Sequence, residues 1–342
     1  MRRGLVAVIV TLIAAASAGA CSSESDGSTT TSTLADLAGS PTSVATVKDI
    51  EESLVLGPAA PTPGPTWEPL VSLPYGEADN ELGLADTHGG ANLPVGPEYL
   101  APAADGTLWV LDVQKYRVAR FESDGTYLGA TQIPGKYAGV QLPFMLGDTF
   151  WASGSGSDGA LVIDPEGAIR VGESPGWDHS DGTGVYDPTG TSRLVPGRPP
   201  TTTGVDALLT PTGTPYRVKD LSDGPGTLRV SLPDVRSDTL IRVTSSLSGN
   251  PVEVLGYEFV ADGADRLNFF VLGIDSTSPD VQLAGYFIVD ATSGEVSPME
   301  PMSKPFSVSD PASPAHVRAV PDSDSVLLTF IGDDGVHVYK RK

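Results

Sequence analysis

Residues 96–134 read GPEYLAPAADGTLWVLDVQKYRVARFESDGTYLGATQIP. Short apolar and β-branched runs alternate here with Asp-Gly turns, the signature of strands joined by hairpins. Four strands are predicted: Glu98–Ala103, Thr107–Asp112, Arg117–Phe121 and Thr126–Ile133. Asp105-Gly106 and Asp124-Gly125 make two of the turns, because glycine reaches a positive φ without steric penalty. Gln114-Lys115-Tyr116 makes the third. Four antiparallel strands in about 40 residues is the size of one propeller blade.

The same scheme recurs on both sides of this stretch. Leu142–Val171 offers Thr149–Ala152, Ala160–Asp164 and Ala168–Val171, with a turn at Pro165-Glu166-Gly167. Val252–Met302 offers Val254–Ala261, Leu267–Ile274, Leu283–Asp290 and Glu295–Met299. The span Gly172–Asn250 has room for about two further blades. The C-terminal region supplies three strands, His316–Val320, Val326–Ile331 and Val336–Tyr339, and lacks a fourth. Trp67–Pro74 has the look of that fourth strand. The expected fold is therefore all-β: a β-propeller of six four-stranded blades, closed by pairing the N-terminal strand with the C-terminal three. Closure of this kind removes two exposed sheet edges.

The stretch 96–134 resembles the NHL repeat family. The resemblance lies in Pro97, Leu100-Ala101, Asp105-Gly106, Leu108-Trp109-Val110, Asp112, Arg117-Val118, Phe121 and Asp124-Gly125. Tyr99 stands where that family commonly has glycine, and Lys115 where it has asparagine. The resemblance implies that Asp112 and Arg117 flank the tight turn between the second and third strands, where their charges can pair. The chain as a whole resembles exported lipoproteins of actinobacteria, a resemblance that implies no particular activity.

The N-terminus has three regions: Arg2 and Arg3, an apolar run from Leu5 to Ala16, and the small residues Ser17 to Ala20. That is the layout of a secretory signal peptide. The apolar run falls short of the ~20 residues that span a bilayer. Ala18-Gly19-Ala20-Cys21 resembles a bacterial lipobox, which implies a diacylglyceryl thioether on Cys21. Cys21 is the only cysteine, so no intramolecular disulfide is possible. Residues 1–20 are thus read as leader and 21–66 as a lipidated, disordered Ser/Thr/Pro-rich tether. Residues 67–342 are read as the propeller. The tether carries the run Ser28-Thr-Thr-Thr-Ser-Thr33 and the run Pro58-Ala-Ala-Pro-Thr-Pro-Gly-Pro65. Within it, Val44–Leu56 is read as a short helix with Ser43 as N-cap and Val47, Ile50 and Leu54 on one face.

The formal charge is −22, and loss of Arg2 and Arg3 with the leader makes the mature chain more negative still. No basic cluster offsets this, so nucleic acid is excluded as a partner. Anionic lipid would be repelled too, which leaves the lipid on Cys21 as the means of membrane attachment, at the outer face of the cytoplasmic membrane.

Motifs that carry chemistry are sparse. No Gly-x-Ser-x-Gly elbow and no phosphate-cradling loop occurs. His316 and His337 fall on predicted strands and read as structural. His88 lies in the glycine-rich segment Asp86-Thr-His-Gly-Gly90. Trp177, Asp178, His179 and Asp181 lie together in a second polar segment. These five are the candidate ligand-binding residues, with Trp177 suited to stacking on a sugar or peptide. Trp109 and Trp151 read as packing between blades. No cofactor is expected; Asp178 with Asp181, or Asp79 with Glu81, would be the oxygen donors if Ca²⁺ binds.

The expected function is a monomeric, non-catalytic binding or scaffold module in the cell envelope, taking a small ligand or an envelope protein. Two alternatives are a hydrolase or lyase with carboxylates and a divalent cation on the central axis, and a sensor or assembly partner of another envelope protein.

Overall fold

Alternation sets the first strand. β1 (Lys48–Leu56) buries Leu54 and Leu56 and exposes Glu51, Ser53 and Val55. The computed structural model describes residues 48–59, 64–84, 97, 99–134, 140–154, 160–172, 179–180, 185–186, 192–194, 201–202, 208–220, 224–233, 237–302, 316–321, 323–332 and 334–342. Among them no helix is long and apolar enough to cross a membrane. The residues read as leader, 1–20, and Cys21 lie outside the described residues.

β2 (Trp67–Pro74) follows. β3 (Tyr99–Pro102), β4 (Leu108–Asp112), β5 (Arg117–Phe121) and β6 (Tyr127–Gln132) form one antiparallel sheet in that order. Gly106 and Gly125, both with φ of 90°, turn its outer hairpins. Asp105 and Asp124 accept the Thr107 and Thr126 N–H groups beside them. β7 (Val140–Leu146), β8 (Thr149–Gly154), β9 (Ala160–Ile163) and β10 (Ile169–Gly172) form the second sheet. The third is built from short strands, β11 (His179–Ser180), β12 (Val185–Tyr186), β13 (Ser192–Leu194) and β14 (Thr201–Thr202).

The fourth sheet holds β15 (Leu208–Leu209), β16 (Pro215–Asp220), β17 (Thr227–Leu232) and β18 (Ser237–Ser245). It gains β1 as a fifth strand, in the order β1-β18-β17-β16-β15. The fifth sheet holds β19 (Glu253–Ala261), β20 (Arg266–Asp275), β21 (Ser278–Asp290) and β22 (Glu300–Pro301). The last joins both ends of the chain: β23 (His316–Ala319), β24 (Val326–Ile331) and β25 (Gly335–Arg341) are completed by β2. β2 runs antiparallel to β25 from Trp67 opposite Arg341 to Pro74 opposite Gly335, with a register shift between Pro69 and Val71. Prolines are tolerated in β2 because it is the sheet's edge strand.

Among the described residues four pairs of sheets pack face to face, strands sending alternate side chains to opposite neighbours. Leu267, Phe269 and Val271 of β20 pack on Leu228, Val230, Ile241 and Val243 of the fourth sheet. Phe270 and Leu272, one step out of phase, pack on Val326, Leu328, Phe330 and Trp67 of the last sheet. The last sheet's other face, with Leu73, Leu327, Val336 and Val338, meets Leu100, Leu108, Val110, Ala119 and Phe121. Trp109, Leu111 and Val118 then meet Phe150, Ala152, Leu161 and Ile163 of the second sheet. Trp109 stacks on Phe150 of the second sheet at 5.7 Å, the inter-sheet packing expected of it; Trp151 stacks instead on Phe144, its cross-strand partner in the same sheet, at 6.4 Å. The first strands also neighbour one another: β19 with β23, β23 with β3, and β3 with β7.

Two sequence readings are corrected. Residues 48–56 form a strand, not a helix. The helical reading rested on Val47, Ile50 and Leu54, but Ile50, Leu54 and Leu56 equally fit a period of two, and pairing with β18 decides between the periods. A strand of the fold therefore lies inside the segment read as tether. The fourth strand expected at Glu295–Met299 is reduced to a bridge between Val296 and Val289, and the strand proper lies at Glu300–Pro301; Asp290, which ends β21, accepts the Thr292 and Ser293 N–H groups in the turn between them.

Candidate functional site

Asp112 ends β4 and is fully buried. A 3-10 turn over Val113–Lys115 follows, and Tyr116 leaves it at φ 50°. This tight turn places Arg117 directly across from Asp112 in the antiparallel register. Arg117 Nε donates to Asp112 Oδ2 at 2.9 Å, and both side chains are buried. The same carboxylate accepts the Gly83 N–H at 3.1 Å and the Lys115 N–H at 3.3 Å.

The rest of the guanidinium reaches into the segment that follows β2. Its Nη1 donates to the Asp79 carbonyl at 2.7 Å, and its Nη2 to the Glu81 carbonyl. Lys115 Nζ donates to the Ala78 carbonyl at 2.7 Å and the Glu81 carbonyl at 2.9 Å. Glu81 turns its carboxylate back onto the Ala78 N–H at 2.9 Å. Gly83 sits so close that a Cβ there would lie 2.7 Å from Gln114 Cβ and 2.8 Å from Asp112 Oδ1. Two cations and one buried carboxylate thus clamp residues 78–83 onto the turn between β4 and β5. A buried guanidinium–carboxylate pair is held because removing one partner leaves the other uncompensated, at about 3–5 kcal/mol.

The clamped segment leads toward His88, which lies outside the described residues, as do Cys21, Trp177, Asp178 and Asp181. His179 is placed by its main chain at the start of β11. Of the site residues expected from sequence, the structure brings Asp112 and Arg117 together. Arg117 holds the main-chain carbonyls of both Asp79 and Glu81, and Lys115 that of Glu81 as well. Among the described residues no group of three or more His, Cys, Asp or Glu is arranged to hold a metal ion.

Two polar constellations escaped the sequence reading. In the last sheet, Ser72 Oγ lies 2.8 Å from His337 Nδ1, and His337 Nε2 lies 2.9 Å from Asp334 Oδ1. Ser72 and His337 face each other across β2 and β25 although 265 positions apart in sequence, so spacing gave no signal. In the fifth sheet, fully buried Asp262 accepts Arg266 Nε at 2.9 Å, Asn268 Nδ2 at 3.1 Å, and the Ala264 and Arg266 N–H groups. Tyr286 donates its hydroxyl to Asn268 Oδ1. Burial pushes the Tyr286 phenol well above its ordinary range, against the opposing pull of the Arg341 guanidinium that sits 5.4 Å above its ring. This phenol stays protonated and serves as a donor. The Asp262-Gly263 turn was visible in sequence, but the role of Arg266 and Asn268 was not.

Solved structures similar to this chain include hydrazine synthase of Kuenenia stuttgartiensis, at 14% identity over 72% of this chain and 79% of that one, with a TM-score of 0.39. A catalytically inactive virginiamycin B lyase from Staphylococcus aureus with quinupristin is 12% identical over 80% of this chain and 98% of its own, at a TM-score of 0.38. Regucalcin, a calcium-binding protein from Agrobacterium tumefaciens, is 12% identical over 85% and 94%, at 0.36. The lyase and regucalcin are β-propeller-like, and the likeness concerns fold alone. No curated protein matches the chain. Residues 65–341 match the model of the family described as Domain of unknown function (DUF7485), and the chain belongs to that family.

Proposed function

We propose that this chain is an exported, lipid-anchored binding module whose six sheets form a closed propeller. One observation carries the reading: Asp112, Lys115 and Arg117 fix the segment between β2 and β3 at the end of the first sheet where the turn from second to third strand and the entry to the first strand meet. In chain order His88 follows this clamped segment, and Trp177 lies between β10 and β11. A rigid base under such connections is how binding surfaces are built on β scaffolds. His88, Trp177, Asp178, His179 and Asp181 are the proposed ligand contacts. The partner is a small envelope ligand or an envelope protein, and the module acts as a monomer.

Affinity capture from envelope extracts tests the reading. The full chain recovers a component that a Cys21-to-Thr66 control does not, and replacement of Trp177 and His179 by alanine abolishes recovery. Equal recovery by wild type and variant contradicts the assignment. Anchoring is tested separately: Cys21→Ser moves the protein from the membrane fraction to the soluble fraction, and retention in the membrane contradicts a lipid on Cys21.

A hydrolase reading ranks second and rests on the Ser72–His337–Asp334 series. A hydroxyl hydrogen-bonded to an imidazole whose other nitrogen meets a carboxylate is the arrangement that activates a nucleophilic serine. Ser72 and Asp334 are both exposed to water, which competes for each hydrogen bond and places this reading below binding. Covalent labelling by a fluorophosphonate, lost in Ser72→Ala, would reverse the ranking; no labelling leaves binding alone.

A further inference from the structure

The segment 48–59 precedes the residues matched by the family, which begin at 65. It nevertheless joins two sheets of the domain. β1 pairs in parallel with all nine residues of β18, from Lys48 opposite Ser237 to Leu56 opposite Ser245. Leu56 then accepts the Ser246 N–H at 2.9 Å. The chain next crosses to β21. The Gly57 carbonyl accepts the Ala284 N–H at 3.1 Å, the Ala59 N–H donates to the Gln282 carbonyl at 3.0 Å, and Pro58 bridges Leu283.

This crossing fills a gap. Beyond β22, the Met302 N–H reaches the Ala284 carbonyl at 3.3 Å, and the Ala284 N–H and the Gln282 carbonyl are left for the strap to pair. Leu54 and Leu56 are buried in the core shared by the fourth and fifth sheets. Leu56 is seated over glycine: a Cβ on Gly285 would lie 2.5 Å from Leu56 Cδ1. The site thus has the two elements of strand-addition recognition, an edge that supplies main-chain hydrogen bonds and pockets for alternate side chains.

We infer that the outer edge of β18 and the adjoining edge of β21 form a strand-accepting site, and that residues 48–59 occupy it in cis as its ligand. The ligand chemistry is an extended peptide with two leucines two positions apart, followed by Gly-Pro. The strap covers an edge that would otherwise pair with other chains.

The test uses the full chain. In wild type, amide hydrogens of residues 50–56 exchange as slowly as those of β18, and a fluorescent peptide of residues 48–59 does not bind. In a Leu54→Ala, Leu56→Ala variant, protection over 50–59 falls about a hundredfold while β4 and β5 keep theirs. The peptide now binds saturably, and its own double-alanine version does not. Fast exchange of 50–56 in wild type overturns the inference. So does a variant with a released strap that fails to bind the peptide. Loss of protection throughout β4 and β5 also overturns it, because the segment would then be part of the core rather than a ligand.

Discussion

The first and fifth sheets solve the same problem with the same pair of residues and different exposure. In each, a fully buried aspartate accepts an arginine Nε at 2.9 Å, and the guanidinium goes on to donate to a main-chain carbonyl of a neighbouring element. Arg117 is 3% exposed and reaches Asp79 and Glu81; Arg266 is 30% exposed and reaches Asp324. The aspartates also differ in what they keep if the arginine is lost. Asp262 retains Asn268 and two main-chain N–H donors, whereas Asp112 retains the Gly83 and Lys115 N–H groups, the second at 3.3 Å. A buried charge is tolerated in proportion to the donors left around it. The first staple therefore depends on its arginine far more than the second.

Arg117→Ala sharpens that contrast most. It should lower unfolding free energy by about 3–5 kcal/mol in denaturant titration, with the segment 78–83 becoming the fastest-cut site in limited proteolysis. Arg117→Lys should recover less than half, since a single ammonium cannot serve one carboxylate and two carbonyls in the fork geometry of a guanidinium. Arg266→Ala should cost about 1–2 kcal/mol and leave proteolysis of 78–83 unchanged. Equal losses for Arg117→Ala and Arg266→Ala would break the comparison and show that burial of the guanidinium does not matter here.

Sequence made the first staple visible and hid the second for a physical reason. Asp112 and Arg117 flank a short turn and sit in a stretch with a family likeness, so their pairing is local. Arg266 and Asn268 sit as close to Asp262 in sequence, within one sheet, but no family likeness marks them, and the reach of Arg266 to Asp324 exists only once sheets stack. Strand bounds follow the same rule. β2, β5 and β24 lie where the apolar runs place them, because each run is bounded by its own turn. β1 and β22 were misread because pairing with other strands, not local pattern, sets their limits. The candidate ligand residues are a different case: His88, Trp177, Asp178 and Asp181 lie in segments outside the described residues.

Asp275 offers the smallest effect and a control, a buried carboxylate held by hydroxyls instead of an arginine. Ser245 first, then Thr277 and Ser248, hold its carboxyl well below the usual carboxylate range. A pKa lower in the folded state means the stabilisation is present above the unfolded value near ~3.9 and is lost as pH falls through the folded value. Asp275→Asn should therefore be less stable than wild type at neutral pH, with the difference shrinking on acidification below about pH 4. A constant difference across that range would show that the hydroxyl bonds do not favour the charged form.

The pairing of β2 with β25, on which the proposed ring closure rests, is tested most directly at their facing positions. Ser72→Cys with His337→Cys, in a Cys21→Ser background, places thiols on directly opposed residues. The account predicts a disulfide that forms in the native protein without denaturant and raises stability by roughly 5 kcal/mol, the value for a loop of hundreds of residues. Thiols that stay reduced under mild oxidation of the folded protein, or pair only after unfolding, would contradict it.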